Sequence, residues 1–390
     1  MIKIGYTHQE SYETQLKESL AATIEKAGGL PSHYHSGDSI LIKPNLITAR
    51  PADACVNTHP LLVKAMIELL LDYGLKPVVG DSPATSMGSE VAKKIGLLDI
   101  LEQYHIPFVD FIGERSPYER YTGSHSFQFK QIGLSDAIFE YDHLLNMAKF
   151  KSHAQMGITL TTKNLFGCVS GHKKSQWHFH TGRDLDTFAR LIIEISMLSK
   201  ASFHVLDGIW GMEGNGPTNG TRVFSHFLMA SDNSFALDRA VIDLIGMDYH
   251  QFPIQKIATE LNLLGAKPED YELVGEGYAQ GLIKNYKVPG LKNIRFVSNP
   301  LLQKGIRLLM DKKMAVATQK CILCMKCLKQ CPAKAISYEG CRQFEDIKVD
   351  RNHPSKIIIH HDECIRCCCC QEICPVGALA LKDAPLSRFI

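Results

Sequence analysis

Eleven of the thirteen cysteines in this 390-residue chain lie after position 320, and their spacing restricts what that part can fold into. Cys321, Cys324, Cys327 and Cys331 form a C-x2-C-x2-C-x3-C run closed by Pro332. Cys364, Cys367, Cys370 and Cys374 repeat the run, closed by Pro375. The likeness continues past the last cysteine, where "CPAKAI" and "CPVGAL" share Cys-Pro, an Ala and a branched aliphatic residue. This is one half-module written twice, and it should pack as a pseudo-symmetric pair. A tight loop at this pitch turns three thiolates toward one point, and the fourth arrives from the start of a following helix. Cys368 and Cys369 fall off the pitch, and Cys341 lies outside both runs.

The doubled run resembles the bacterial-type two-cluster ferredoxin pattern, in which the fourth Cys of each run serves the other cluster. That resemblance implies two [4Fe–4S] clusters. Cluster one would be held by Cys321, Cys324, Cys327 and Cys374, and cluster two by Cys331, Cys364, Cys367 and Cys370. Zinc ribbons also use C-x2-C pairs, but as two pairs across a long gap. Disulfides fit poorly, because the preceding 320 residues carry only Cys55 and Cys168 and the start "MIKIGYTHQE" lacks the order of an export signal. The expectation is a cytoplasmic chain. The two strings around the cluster loops, "AKAISYEG" and "IIIHHDE", hold too little apolar area to fold separately, so shared ligands would tie the halves together.

With 43 basic and 41 acidic side chains the chain exerts no general pull toward nucleic acid or membrane. No apolar run approaches a bilayer span. Before the cysteines, strand-like and helix-like strings alternate: "MIKIGY", "SILIKPNLI", "KPVVGD", "PFVDF", "DHLLNM", "SFHVLDG" and "HFLMASD" as strands. The helices between and after them include "SYETQLKESLAATIEKAGG", "HPLLVKAMIELLLDYG", "SEVAKKIGLLDILEQY", "LDTFARLIIEISMLSK" and "SFALDRAVIDLIG". Such alternation predicts an α/β fold, a mostly parallel sheet with helices on both faces. The expected organisation is an α/β domain over 1–298, a helical connector over 299–319, and an α+β two-cluster ferredoxin-like domain over 320–390.

Open α/β sheets bind ligands beyond the carboxyl ends of their strands. Here those ends are polar: Lys43-Pro44-Asn45, Asp81-Ser82-Pro83, the stretch Asn146 to Lys151, and Asp207 followed by "GIWGMEGNGPTNG". The glycines match neither a phosphate-binding Walker loop nor a dinucleotide fingerprint, and read either as a long turn or as backbone approaching an anion. The segment 149–183 concentrates Lys149, Lys151, Lys163, Lys173, Lys174 and Arg183 with His153, His172, His178 and His180. Lysines near glycines suit a phosphate or carboxylate, and His178 and His180 would share a face if extended. The competing readings are a solvated basic loop and a His-bound metal. Cys168 reads as a small buried hydrophobe rather than a nucleophile, and Cys55 as packing. The candidate binding set is Lys43, Asn45, Asp81, Lys149, Lys151, His153, Lys163 and Asn164, with Asp207 or Glu213 available for proton transfer.

The strings "ILIKPNL", "KFKSHAQMGITLTTKNLFGCVSGHKK", "LDGIWGMEGNGP" and "SDNSFALDRAVIDLIG", in this order, resemble the family known as domain of unknown function 362. Lys163-Asn164-Leu165-Phe166-Gly167 is the most specific stretch. Members often carry a C-terminal pair of ferredoxin motifs, so the resemblance implies an iron–sulfur protein without naming a substrate. Two function classes follow. One is an oxidoreductase passing electrons through the clusters to an anionic small molecule held at the strand ends. The other is a non-enzymatic carrier or accessory whose α/β part docks a redox partner protein. Polar loops at successive strand ends favour the first.

Overall fold

A computed structural model describes residues 1–171, 173–279, 281–289, 313–347 and 357–382. The strands are β1 (Ile2–His8), β2 (Ser39–Lys43), β3 (Lys76–Asp81), β4 (Phe108–Asp110), β5 (His143–His153), β6 (Gly157–Thr159), β7 (Ala201–Glu213), β8 (Thr221–Ser231) and β9 (Tyr271–Val274). They form one nine-stranded sheet in the order β4-β3-β2-β5-β7-β8-β1-β9, with β6 paired to β5. β4, β3, β2, β5 and β7 run parallel, β6 is antiparallel to β5, and β8 is antiparallel to both of its neighbours.

The helices are α1 (Leu16–Lys26), α2 (Pro60–Asp72), α3 (Gly88–Lys94), α4 (Leu97–Gln103), α5 (Thr161–Asn164), α6 (Lys173–Thr181), α7 (Leu185–Ser199), α8 (Ser234–Leu244) and α9 (Pro253–Glu260). Strand alternation divides them between two faces. Ile40, Ile42, Leu145 and Met147 pack with α1–α4 on one face. Leu41 and Leu144 pack with α7 and α9 on the other, and Ala148, Phe150 and Leu206 pack there with α8. The α/β architecture with both faces covered is therefore present.

Several local expectations change. "SEVAKKIGLLDILEQY" is two helices, because Gly96 takes the left-handed conformation (φ 77°) between them. The glycine-rich stretch after Asp207 is mostly not a loop, since β7 runs through Gly208 and Gly211 and pairs with β8 as far as Glu213. A side chain at Gly208 would strike the Phe227 ring, and one at Gly211 would meet Phe150 at 2.5 Å, so these glycines let aromatic rings lie against the strand. His178 and His180 lie on α6 rather than on an extended segment, and only His178 is buried. Of the expected connector, 299–312 and the nearby glycine at 290 lie outside the described residues. Its later part contains a strand, β10 (Lys313–Val316), instead of helix.

The cysteine-bearing segment has a small core of its own, containing Met314, Leu323, Leu328, Ile336, Tyr338, Ile357 and Leu379, with Ala154 of the larger part against it. Strands β10 and β13 (Leu379–Lys382) pair antiparallel, as do β11 (Ile336–Tyr338) and β12 (Ile357–Ile359). The sequence repeat is also a backbone repeat. Short helices Lys326–Lys329 and Cys369–Glu372 occupy equivalent places, each entered through a left-handed residue, Met325 or Cys368. Leu323 matches Arg366 and Lys334 matches Gly377 in the same positive-φ conformation. The Ala335 N–H donates to Cys331 Sγ at 3.3 Å, and the Ala378 N–H to Cys374 Sγ at 3.1 Å. No helix among the described residues is long and apolar enough to cross a membrane.

Candidate functional site

The chain runs outward from β2 through β3 to β4, then returns to place β5 on the other side of β2. Such a reversal leaves a crevice at the carboxyl ends of the two strands flanking it. A cavity lies there. Lys43 ends β2 and Asp81 ends β3, and they form a buried ion pair at 2.7 Å. Asp81 Oδ2 also accepts the Leu46 N–H (2.7 Å) and Oδ1 the Ser82 N–H (2.8 Å). The carboxylate is thus saturated, which is what makes a buried charge tolerable. A Cβ at Gly167 would collide with Lys43 Nζ, so the glycine of the Lys-Asn-Leu-Phe-Gly stretch makes room for this pair.

Asn164 knits the crevice. Its Nδ2 donates to Asn146 Oδ1 (2.7 Å), and its Oδ1 accepts from Asn45 Nδ2 (2.9 Å) and Lys43 Nζ (3.4 Å). Buried Asp238 on α8 accepts the N–H groups of Thr161 (2.8 Å) and Thr162 (3.1 Å), anchoring the short α5 that carries Lys163 and Asn164. Asp238 was missed at the sequence level, because its helix reads as plain core.

Three further basic side chains line the cavity. Among the described residues Lys163 Nζ has no hydrogen-bond or ion-pair partner. It lies 5.6 Å from the Phe166 ring centroid, and burial lowers its pKa. His178 lines the cavity with its buried Nδ1 unpaired among the described residues, and burial pushes its pKa down to about 3. Lys174 Nζ donates to the Ser82 (2.7 Å) and Val169 carbonyls, and burial pushes it down to about 7. Leu46, Ile47, Pro83, Phe166 and Ile373 supply apolar wall.

His153 closes one side. Its Nδ1 accepts the Gln155 and Met156 N–H groups (3.1 and 3.2 Å), which puts the proton of the neutral ring on Nε2, 3.1 Å from Glu372 Oε1. Burial pushes His153 down to about 4. Glu372 belongs to the second cysteine run, and Gln330, Cys369 and Ile373 of the same segment also line the cavity. Sequence reasoning missed these four, since no spacing rule tells which part of a chain will dock over a crevice.

Not every sequence-predicted residue reaches this cavity. Lys149 (2.9 Å) and Tyr12 (2.7 Å) engage the buried Asp207, which also accepts the His59 N–H. Lys151 donates to Asn45 Oδ1 and the Val56 carbonyl, supporting the crevice from beneath, and burial holds its pKa well below the usual range. Glu213 pairs with Lys287 at 3.4 Å. Asp207, Glu213, Lys149 and Lys151 are absent from the cavity wall, whereas Lys43, Asn45, Asp81, His153, Lys163 and Asn164 line it. Cys168 is core, with burial pushing its thiol up to about 12. His172 lies outside the described residues.

The thiols fall into two groups. Cys321, Cys324, Cys327 and Cys374 line one small cavity. Burial pushes Cys327 up to about 12, and Cys324, Cys321 and Cys374 are near enough to add to this. Cys331 instead has Cys367 and Cys364 beside it, and those two also neighbour Cys370. Cys374 thus shares a cavity with the first run's triplet, and Cys331 lies near Cys364 and Cys367 of the second run. Cys368 turns into the small core, its Sγ 3.4 Å from the Arg366 carbonyl, and Cys369 faces the strand-end cavity. Among the described residues no three His, Cys, Asp or Glu side chains converge as around a single metal ion.

A mostly parallel sheet covered by helices, with a crevice at its point of reversal, defines an α/β protein. The family model described as Domain of unknown function (DUF362) matches residues 40–243, and the chain belongs to that family. Every cavity residue contributed by the α/β part, Lys43 through Pro217, lies inside the match. A thylakoid-associated protein of Synechocystis sp. is 36% identical over 266 residues, covering 67% of this chain and 81% of that protein. The lactate racemase apoprotein from Thermoanaerobacterium thermosaccharolyticum aligns with a TM-score of 0.33 and 16% identity, over 51% of this chain and 49% of that one.

Proposed function

We propose that the chain is an iron–sulfur oxidoreductase that delivers electrons to an organic anion held in the strand-end cavity. The carrying observation is that both parts of the chain build one cavity. Lys163, His178 and Lys174 come from the α/β part, and Cys369 and Glu372 from the second cysteine run. A plain electron carrier has no use for such a site.

The donor sets suit two [4Fe–4S] clusters. Four thiols line a common cavity, and Cys331 lies near Cys364 and Cys367, which supports the ligand groups that the ferredoxin resemblance implies. When bound, such clusters supply one-electron redox chemistry. Cys321, Cys324, Cys327 and Cys374 would hold one, and Cys331, Cys364, Cys367 and Cys370 the other. On this reading, residues 320–390 form the ferredoxin-like unit.

The chain's own residues do the rest. Lys163, with no competing carboxylate bonded to it, binds the acid group, and His178 Nδ1 accepts a hydrogen bond from a ligand hydroxyl or acid proton. The Lys43–Asp81 pair and the asparagine network fix the wall, so the cavity keeps its shape without a ligand. Phe166, Ile47 and Ile373 keep water from the ligand's apolar body. His153 presents its Nε2 proton toward Glu372 at the seam between the two parts.

The test uses anaerobically purified protein and a panel of organic anions read by thermal shift. Wild type should contain about eight irons and be stabilised by one anion class. Lys163→Ala should weaken that binding about 10- to 100-fold, as for loss of a charge-assisted hydrogen bond, with iron unchanged. An equal response from wild type and variant would remove the cavity from the proposal.

A further inference from the structure

A second cleft, of about 1080 Å³, shares no described lining residue with the ligand cavity. Its wall carries Arg50, Arg222, Lys320 and Lys382, and no carboxylate among the described lining residues. In a chain with 43 basic and 41 acidic side chains, this is a local excess. The Arg222 guanidinium stacks on Trp210, 3.5 Å from the ring centroid, which holds the charge in place. Arg50 donates to Asn219 Oδ1 (3.2 Å) and to the Cys374 carbonyl (3.4 Å), and its buried Nε has no partner among the described residues. Lys320 and Lys382 are exposed and form no ion pair among the described residues.

The cleft also has a shared wall. Val376 and Ala378 line both this cleft and the cavity that gathers Cys321, Cys324, Cys327 and Cys374. The cleft and the four-thiol cavity are thus neighbours that share two small apolar residues. Cys369 and Glu372, from the second run, face the ligand cavity instead. The cysteine-bearing segment thus presents a basic face at one thiol set and a ligand-facing wall near the other.

We propose that the basic cleft docks an acidic one-electron carrier protein, which reduces the chain at the Cys321-Cys324-Cys327-Cys374 end. The inference rests on the iron–sulfur reading above. The cations are spread over different elements of an open cleft: Arg222 on β8, Arg50 after β2, and Lys320 and Lys382 on the cysteine-bearing segment. That spread matches a surface studded with carboxylates better than one compact anion. Exposed lysines around a cleft speed encounter through long-range attraction, and electron-transfer interfaces are typically small and transient. Donation is a single-electron step: the carrier loses one electron, this chain gains one, and no bond or proton changes place.

Flavodoxin, an acidic one-electron carrier, is the probe, used with the full-length, iron-loaded protein. Binding is read by anisotropy of labelled flavodoxin at low and high salt, and the contact by zero-length carbodiimide crosslinking. Wild type should bind more weakly as salt rises and crosslink through Lys320 or Lys382. Lys320→Glu with Lys382→Glu should weaken binding at least 10-fold and flatten the salt dependence. Reduction by a small viologen should stay unchanged in that variant. Equal binding by wild type and variant, or crosslinks confined to other lysines, overturns the docking site. So does protection of both lysines by phosphate with no binding of flavodoxin, which would make the cleft a small-anion site. Iron is counted on the same samples. Protein without iron removes the cluster reading and this inference together, whereas full iron with unaltered flavodoxin binding removes only the docking site.

Discussion

Asp207 shows why a polar residue at a strand end is not yet a catalytic one. It stands on the central strand β7 and is completely buried, with Lys149, Tyr12 and the His59 backbone around it. Its work is to neutralise Lys149 where water cannot. Asp207→Ala should therefore destabilise the fold by about 3–5 kcal/mol, the usual consequence of leaving a buried charge unpaired, measured by denaturant unfolding. A variant of native stability would return Asp207 to the list of functional acids. The buried histidines make a second residue-scale claim. Burial pushes His204 down to about 3, while its Nδ1 lies 3.0 Å from Asn146 Nδ2. An unfolded His titrates near ~6.5, so below that pH the unfolded chain takes up a proton that the folded chain refuses. Stability is thus full above about pH 7 and falls as pH drops toward the folded value, by about 2 kcal/mol at pH 5 from this group. His204→Gln, which keeps an acceptor but cannot titrate, should flatten the thermal midpoint between pH 7 and pH 5. An unchanged slope would show that the ring is not held neutral.

The strands β1 to β5 and helices α1, α2, α7 and α8 were legible because each is a local pattern: a short apolar run, or an amphipathic stripe with a stop. What was illegible depended on partners remote in sequence. β7 reads as strand then loop, and only Phe227 and Phe150 lying over Gly208 and Gly211 reveal that the glycines belong to the strand. α6 reads as a basic loop because "KKSQWHFHT" carries few apolar residues, yet Lys174 and His178 are buried on it. In the site, the lysines and asparagines of the α/β part were visible as strand-end chemistry, while Gln330, Cys369 and Glu372 were not. The cysteine runs were a different case, since the pairing of each triplet with the other run's last cysteine is what their resemblance to the two-cluster ferredoxin pattern implies. Cys331→Ser should accordingly disturb the same centre as Cys367→Ser and not the one disturbed by Cys324→Ser, read from spectra of the reduced variants with iron counts. If Cys331→Ser matches Cys324→Ser, each run holds its own cluster. Replacing Cys368 and Cys369 together by Ala should leave iron and sulfide intact, since neither belongs to the two thiol sets; loss of about four irons would make one of them a ligand.

At the scale of the whole molecule, one wall of the strand-end cavity comes from the cysteine-bearing segment, through Gln330, Cys369, Glu372 and Ile373. Side-chain hydrogen bonds from both parts help hold that segment in place. Arg183 donates to the carbonyls of His361 (3.2 Å), Asp362 (3.1 Å) and Cys364 (2.8 Å), tying the entry to the second run. Gln371 Nε2 donates to Asn215 Oδ1 (2.9 Å), and its own carbonyl accepts from Thr218 and Asn219. These are polar contacts across a seam, the kind that interfaces between parts of one chain use when they permit movement. The seam contacts to Cys364 and Cys374 use their main-chain carbonyls and not their thiols, so on the proposed cluster reading seating and iron content can vary separately. Arg183→Ala with Gln371→Ala should therefore keep its iron yet weaken anion binding roughly 10-fold, as for loss of about 1–2 kcal/mol of net hydrogen bonding. Amide exchange over residues 361–373 should rise in the same variant while exchange in β2 and β5 stays slow. If anion affinity holds while those amides exchange faster, Glu372 and Cys369 are not part of the binding wall, and the ligand is held by the α/β part alone.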